Sequence, residues 1–587
     1  MPFDLPLFLK RYRYPLAASA LLLCGVVLRL TLTIIGWPHT NSEEGTMGLE
    51  AMHILLRGEH PIYFYGQNYM GVGEAYAGAL AFRLFGISVA TLRLGMIGFY
   101  AIFMVGVWWL ADHLYSRRVA LASLAVLVLG TPFLGQMELR ADGGKVETMA
   151  FGAMMFGLAS WLALSQPTPQ APRRHRMLRY AAFAAWGLIA GLGLYTYVVV
   201  VPLVLTSGLL LVITCWRELR SWLLVLPLAG LLIGLLPAII YAVMMPFKDN
   251  PISVFLTLHQ SLNGGAPLSR HLLAKQVEGT LLYTLPTVTG LINLYPLQAL
   301  PLYGPLGPAT FASVIIGGGW SLGYFLLLGA AMYRPLRALW HDWTLRRARK
   351  HPSIYAQTDM TAQAAAVSMM AQYKARNVAR LLLPFTALLI IAAYMLSETA
   401  ANNPYSGRYM IGLLVIVPAI LWPIVDRPLP VSSTLAEPVT GAGWAIVRNA
   451  SRPAAVALLG ASLVLGAIGV VHSIPDAQAV NTADAKHAQD LLSHGITRFY
   501  SDYWTCDKLN FETQERLICG VIRNYGQRGR MRYLPYFAMV QADKNAPYVV
   551  VRGSIIESTF LIHATESHQQ YSMEHLDIYD VYTPKST

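Results

Sequence analysis

Charge is what this chain is short of. Asp, Glu, Lys and Arg together make up 13% of the 587 residues, against 55% that are hydrophobic, whereas a water-facing globule carries roughly a quarter charged residues. With a mean hydropathy of +0.46, this shortage excludes a soluble globule for the chain as a whole and predicts a polytopic membrane protein. Cysteine is nearly absent. Of the 4 present, Cys24 and Cys215 fall in apolar runs, and only Cys506 and Cys519 lie in polar sequence, where they could pair if that segment faces an oxidising compartment. No small-x-small cleavage site follows the first apolar run behind Lys10, Arg11 and Arg13, so that run reads as a retained anchor and not as a signal peptide. The chain also lacks an internal repeat and a Gly-rich nucleotide-binding loop. The spacing of His259, His271, Lys275 and Glu278 in 245–307 matches no metal motif. A net charge of +13 does not imply nucleic acid, because the basic residues sit in short loops between apolar spans, where they set orientation.

What the chain does have is a series of apolar runs of about twenty residues, the length that crosses a ~30 Å hydrocarbon core. They fall near 15–37, 89–114, 119–136, 147–165, 181–199, 200–216, 221–244, 308–332, 379–396, 409–425 and 453–473, and predict about eleven transmembrane helices. Lys and Arg crowd the segments on the N-terminal side, as at Arg117 and Arg118, Arg173 to Arg179, and Arg334 to Arg380. The expected orientation therefore has the N-terminus cytoplasmic and the C-terminal region outside a cell (inner) membrane. The run 70–86 is nearly long enough to span, but its carboxylate Glu74 and short length read as a helix at the outer interface. The expected division is a transmembrane domain over 1–473, containing a first outer loop at 38–88, followed by an extracytoplasmic domain over 474–587. That last segment mixes charged and aromatic residues, with strand-like stretches at 499–504 and 548–551, and reads as a small α/β domain. The Ala-, Gln- and Met-rich 356–373 reads as a loop carrying a short interfacial helix.

Ionisable groups at a membrane are costly, so each is a candidate for function. Glu43 and Glu44 stand where the first span leaves the membrane, followed by Tyr63, Phe64, Tyr65, Gly66, Gln67, Asn68 and Tyr69. Rings that stack on pyranose faces, with amides for hydroxyl groups, form the usual lining of a sugar site; an aromatic interface belt accounts for the tyrosines but not for Gln67, Asn68 and the acids. A second acidic loop, Glu138 to Thr148, includes Arg140, Asp142, Lys145 and Glu147 on the same side. Two such loops can hold a general base and orient an acceptor or a metal. Complementing a helix dipole explains Asp142 equally well. Arg29 in the first span and Arg408 at the start of a late one suit a phosphate, which guanidinium binds in a two-point fork; snorkelling explains Arg408 as well.

These features together resemble the GT-C superfamily of polyprenyl-phosphate-sugar glycosyltransferases, and within it the protein O-mannosyltransferase and aminoarabinose-transferase group of bacterial membrane enzymes (glycosyltransferase family 39-like). The resemblance rests on the acidic pair followed fifteen positions later by Gly58, a loop helix ending Leu84-Phe85-Gly86, the Leu92-Arg93-Leu94 entry to the next span, Gly144-Lys145-Val146-Glu147-Thr148, and Arg408-Tyr409. It covers 15–220 well and the remainder in outline. It departs from the family in having Glu at the first acidic position where Asp is usual, and Gln67-Asn68-Tyr69-Met70 in place of the Glu-Lys-Pro-Pro or His-Pro-Pro of the loop helix. What it implies is an inverting transfer of a sugar from a polyprenyl-phosphate donor to a lipid, glycan or protein acceptor at the outer face. Glu43 would be the base, Glu147 with Glu44 would position the acceptor or a divalent ion (Mg, Mn or Zn) held by Glu43 and Glu147, and Arg29 and Arg408 would neutralise the phosphate. Tyr65, Gln67, Asn68 and Asp142 would bind the sugar or acceptor. The alternatives are a transporter or flippase of lipid-linked sugars and a non-catalytic glycan-binding membrane protein; against the transporter, the acids lie in outer loops and no paired broken helices stand out.

Overall fold

In lipid a backbone must satisfy its own hydrogen bonds, so apolar runs of this length become helices. The computed structural model describes residues 5–166, 172–253, 269–291, 309–348, 360–401, 404–426 and 442–585; His259 lies outside them. Among the described residues, 8 helices are long and apolar enough to cross a membrane, or up to 10 if each of two bent pairs is one span, with Val198–Thr214 a shorter apolar helix beside them. The chain is thus a multi-pass membrane protein. Its first part consists of α1 (Leu5–Ile34), α2 (Ser42–Arg57), α3 (Gly73–Phe85), α4 (Val89–Leu114), α5 (Arg117–Leu129), α6 (Pro132–Leu139), α7 (Lys145–Leu164) and α8 (Arg173–Thr196). The 13 residues of α3 are too few to span.

Several expected spans differ in shape. Residues 119–136 are not one straight helix: the chain turns by 84° between α5 and α6. Gly130 takes a φ of 59°, which suits glycine, and Pro132 opens a new helix whose Leu134 N–H is capped by Thr131. Residues 221–244 bend by 56° between Trp222–Gly234 and Leu236–Met244, where Pro237 has no N–H to give. From residue 360 on, the expected loop 356–373 belongs to the helix Met360–Met395. The last span lies within a 52-residue helix, Ala442–Ser493, which continues past residue 473 into the C-terminal segment.

With lipid tails as apolar as leucine, helices in a bilayer gain most from close approach, which small residues allow. α8 lies against Trp222–Gly234 in this way: a Cβ on Gly187 would come within 2.0 Å of the Pro227 carbonyl oxygen, and one on Gly234 within 2.4 Å of that of Leu188.

The C-terminal segment forms a five-stranded mixed sheet from β1 (Arg498–Ser501), β2 (Ile518–Val521), β3 (Tyr548–Val551), β4 (Tyr571–Leu576) and β5 (Tyr579–Pro584). The order is β2-β1-β3-β5-β4, with β1 parallel to both β2 and β3 and β5 antiparallel to both β3 and β4. The strand expected over 499–504 stops at Ser501. There Asp502 accepts the N–H groups of Trp504 at 2.8 Å and Thr505 at 3.3 Å, and so starts the helix Tyr503–Glu512. Cys506 of that helix is disulfide-bonded to Cys519 of β2, with the Cα atoms 5.0 Å apart. One apolar core runs from the membrane helices through Met47 and Met52 of α2 into Phe511, Cys519 and Val521.

Candidate active site

α2 begins where the Asn41 side chain accepts the Glu44 N–H at 2.8 Å, which puts Glu43 and Glu44 in its first turn, the end of a helix that favours carboxylates. Neighbouring residues on a helix point about 100° apart, and the two acids meet different partners. Glu44 is fully buried and accepts from Arg93 Nε at 2.7 Å and Nη2 at 2.6 Å, and from the Ala141 N–H at 3.3 Å. Glu43 keeps 17% of its side chain exposed, with Oε1 3.4 Å from Arg532 Nη2 and Oε2 3.9 Å from Arg408 Nη1.

Arg532 comes from the C-terminal domain. It reaches α2 because Gly45 and Gly48 leave room for the helix Tyr503–Glu512: a Cβ on Gly45 would lie 2.7 Å from the Lys508 backbone, and one on Gly48 2.5 Å from the Phe511 ring. Thr46 Oγ1 between them donates to Asp507 Oδ2 at 2.9 Å. The Arg532 side chain is 1% exposed. Its guanidinium lies 5.0 Å from the Phe64 ring centre and donates from Nε to the Tyr503 hydroxyl at 2.9 Å.

Glu43 faces a cavity of about 580 Å³, whose polar lining includes Gln67, Tyr69, Asp142, Lys145, Arg408 and Tyr409. Val198, Val199, Val201, Pro202, Ile390 and Ala393 give it an apolar flank. Asp142 Oδ1 is paired with Lys145 Nζ, while its buried Oδ2 has no hydrogen-bond partner among the described residues. Arg408 Nη2 also donates to the Tyr409 hydroxyl at 3.3 Å.

Other residues singled out from sequence lie elsewhere. Glu147 does not line the cavity; its buried carboxyl meets that of Glu74. Glu74 accepts the N–H groups of Gly143 at 2.9 Å and Gly144 at 2.7 Å, and so shapes the turn that presents Asp142 and Lys145. Burial, and then the neighbouring Glu147, push the Glu74 carboxyl well above the usual carboxylate range. Arg29 is buried and paired with Glu138 at 2.6 Å, donates to Leu127 O at 3.1 Å, and lies 4.4 Å from the Tyr100 ring centre. The Tyr65 hydroxyl donates to Glu59 at 2.6 Å and lies 3.0 Å from His53 Nδ1, and Asn68 donates to Asp249 O at 3.3 Å. The sequence offers Arg532 and Tyr533 either as an acceptor contact or as packing in the C-terminal core, the core being favoured, and Glu74 only as an acid on an interfacial helix; neither reading places Arg532 beside Glu43.

The donor set does not suit a divalent ion between Glu43 and Glu147. The first is held between two guanidinium groups and the second is turned toward Glu74. Among the described residues no group of three or more His, Cys, Asp or Glu side chains is placed to hold a metal.

No family model matches the sequence, and no curated protein matches it. Among solved structures, the chain is similar to ArnT from Cupriavidus metallidurans bound to undecaprenyl phosphate, at 14% identity and a TM-score of 0.54, over 96% of this chain and 97% of that one. It is also similar to the Archaeoglobus fulgidus oligosaccharyltransferase tethered with an acceptor peptide, at 14% identity and a TM-score of 0.49, over 99% of this chain and 75% of that one. Aligned with that ArnT structure over nearly the whole of both chains, this chain shares its fold.

Proposed function

We propose that this protein is an integral-membrane glycosyltransferase that moves a sugar from a polyprenyl-phosphate donor to a lipid, glycan or protein acceptor at the outer face of the membrane. The observation that carries this reading is Glu43: a carboxylate at the wall of a half-apolar cavity, set between Arg408 and Arg532. In the reaction the acceptor hydroxyl oxygen attacks the anomeric carbon, and its proton passes to Glu43. The bond from that carbon to the phosphate oxygen breaks, its electron pair stays on the departing polyprenyl phosphate, and the anomeric configuration inverts. Arg408 stabilises the charge that builds on the phosphate. The Val198 to Pro202 flank takes the first isoprene units, and Gln67 and Asp142 hold the sugar or acceptor.

The geometry favours Glu43 alone as the base. Glu44 and Arg29 hold other parts of the fold in place, and Glu147 acts through the Gly143-Gly144 turn. The distribution of Lys and Arg supports a cytoplasmic N-terminus, and the Cys506–Cys519 disulfide suits a C-terminal domain in an oxidising compartment.

The test uses the purified full-length protein with undecaprenyl-phosphate-linked sugars and membrane extract as acceptor. Glu43→Gln should reduce transfer by about 10²- to 10⁴-fold while melting within a degree or two of wild type. Transfer by Glu43→Gln at the wild-type rate would sink the assignment.

A further inference from the structure

Arg408 must stand at a fixed place to meet a phosphate, and neither Glu43 nor Tyr409 puts it there. Its Nη1 is 3.9 Å from Glu43 Oε2, too long for a hydrogen bond, and the Tyr409 hydroxyl that Nη2 meets at 3.3 Å belongs to the same segment. That segment, Pro404–Ile416, is a 3₁₀ helix of 13 residues, whereas runs beyond about three or four are uncommon because their hydrogen-bond geometry is poor. Contacts with its neighbours therefore have to hold it. Gly407 packs closely on one of them: a Cβ there would come within 2.7 Å of Val288 Cγ2 and 3.1 Å of Thr284 Cγ2. Ser406 meets another, since its Oγ lies 2.5 Å from the hydroxyl of Tyr394, near the end of the helix Met360–Met395. The same Tyr394 hydroxyl lies 3.2 Å from Thr284 Oγ1.

All three hydroxyl groups sit on buried residues. Ser406 donates to Thr399 O at 3.1 Å and Thr284 to Gly279 O at 3.0 Å, which uses the one hydrogen each has, so Tyr394 is the donor to Ser406. Neither partner needs a tyrosine to satisfy its own hydrogen. What the bond adds is a tie between the π-helical turn Gly279–Thr284, the helix Met360–Met395 and the segment that carries Arg408. Tyr394, Ser397, Thr399, Arg408 and Tyr409 also line one cavity. We infer that Tyr394 is a positioning residue, which acts through Ser406 to hold Arg408 against the phosphate of the lipid donor. This rests on the lipid-linked donor reading above. Tyr394 binds no phosphate itself, because its hydroxyl hydrogen is already given to Ser406.

The test uses the full-length protein in detergent and two lipids that differ only at the head, undecaprenyl phosphate and undecaprenol, and reads the ratio of their affinities. Wild type should prefer the phosphate by about tenfold or more, the worth of a hydrogen bond to a charged group, and Arg408→Met should bring the ratio toward one. Tyr394→Phe removes one oxygen and keeps the ring, and Ser406→Ala breaks the same bond from its other end. Each should lower the ratio by about threefold or more and leave undecaprenol binding unchanged, whereas a merely structural role would weaken both lipids alike. In the Arg408→Met background neither should lower the ratio further, because no guanidinium is left to position. Should one of the two variants fail to fold, the other gives the same reading. The inference is overturned if Tyr394→Phe and Ser406→Ala keep the wild-type ratio, or lower it equally with and without Arg408, while Arg408→Met alone abolishes the preference. A wild type with no preference for the phosphate, or a preference that Arg408→Met leaves intact, would overturn the donor reading at Arg408 and the inference with it.

Discussion

Glu44 and Arg93 form a fully buried two-point ion pair, at 2.7 and 2.6 Å, one residue along from the carboxylate proposed as the base. The pair ties the start of α2 to α4, and through the Ala141 N–H to the second acidic loop, so it sets where Glu43 stands. Removing one member leaves the other charged and buried, which costs about 3–5 kcal/mol. Glu44→Ala and Arg93→Ala should each lower the melting temperature sharply, and a Glu44→Leu/Arg93→Met double variant should recover most of the loss, because an apolar pair carries no unpaired charge. Glu43→Gln should melt like wild type. A Glu44→Ala protein that melts normally would remove this distinction between the two acids.

Arg29 and Glu138 pose the same question inside the membrane domain. Their pairing at 2.6 Å, with further bonds from Arg29 to the α5 carbonyls, makes Arg29 a link between α1 and the α5–α6 bend, outside the cavity lining. Arg29→Met alone should destabilise, while Arg29→Met/Glu138→Leu should fold and keep the wild-type KM for the lipid donor. A rise in KM of tenfold or more in the folded double variant would return Arg29 to the phosphate site.

These two pairs also mark what could be read from the chain. The acidic pair, its cap Asn41 and the small residues Gly45 and Gly48 are contiguous, so the start of α2 and the candidacy of Glu43 were legible from local spacing. The function of Arg29 was not, because an isolated guanidinium in an apolar run looks the same whether it awaits a ligand or an acid brought near by a helix break at Gly130. Arg532 lies 489 positions from Glu43, in a separate sheet domain, and no periodicity links the two. The α/β character of the C-terminal segment was legible from its alternating residues. The strand at 499–504 was overextended because Asp502 acts as a helix cap, and Tyr503 and Trp504 fit a helix as readily as a strand.

Acid should act on the contact between α2 and the C-terminal domain in two opposite ways. Burial pushes the Glu515 carboxyl up, but hydrogen bonds from His53, Tyr536 and Arg57 outweigh it and bring it down to about 2. A depressed carboxyl contributes stability above its ordinary value near 4.5, lost as pH falls from there toward 2. Asp507 is the reverse: burial raises it to about 6, past the hydrogen bond from Thr46. Its ionised form therefore costs stability above pH 6, and the cost is relieved as pH falls from 6 toward 3.8. Wild type should gain stability relative to Asp507→Asn between pH 7 and 5, and lose stability relative to Glu515→Gln below about pH 4.5. Melting curves of the three proteins across this range check both signs, and parallel pH profiles would show that neither group is coupled to folding.

Gly48 tests whether the C-terminal domain is needed at the site. Its missing Cβ is what lets the Phe511 ring lie against α2, since an added methyl group would come within 2.5 Å of that ring. Alanine gains up to about 1 kcal/mol over glycine in a helix, but forcing a methyl group into a packed contact costs about 1–3 kcal/mol, so Gly48→Ala should be net destabilising. Because the same contact delivers Arg532 to Glu43, transfer should fall further than the melting temperature alone would imply. Phe511→Leu offers space where the methyl group intrudes, so Gly48→Ala/Phe511→Leu should recover transfer relative to Gly48→Ala. Full activity in Gly48→Ala, measured on protein that has kept its fold, would mean that the C-terminal domain can shift away from α2 without disturbing Glu43.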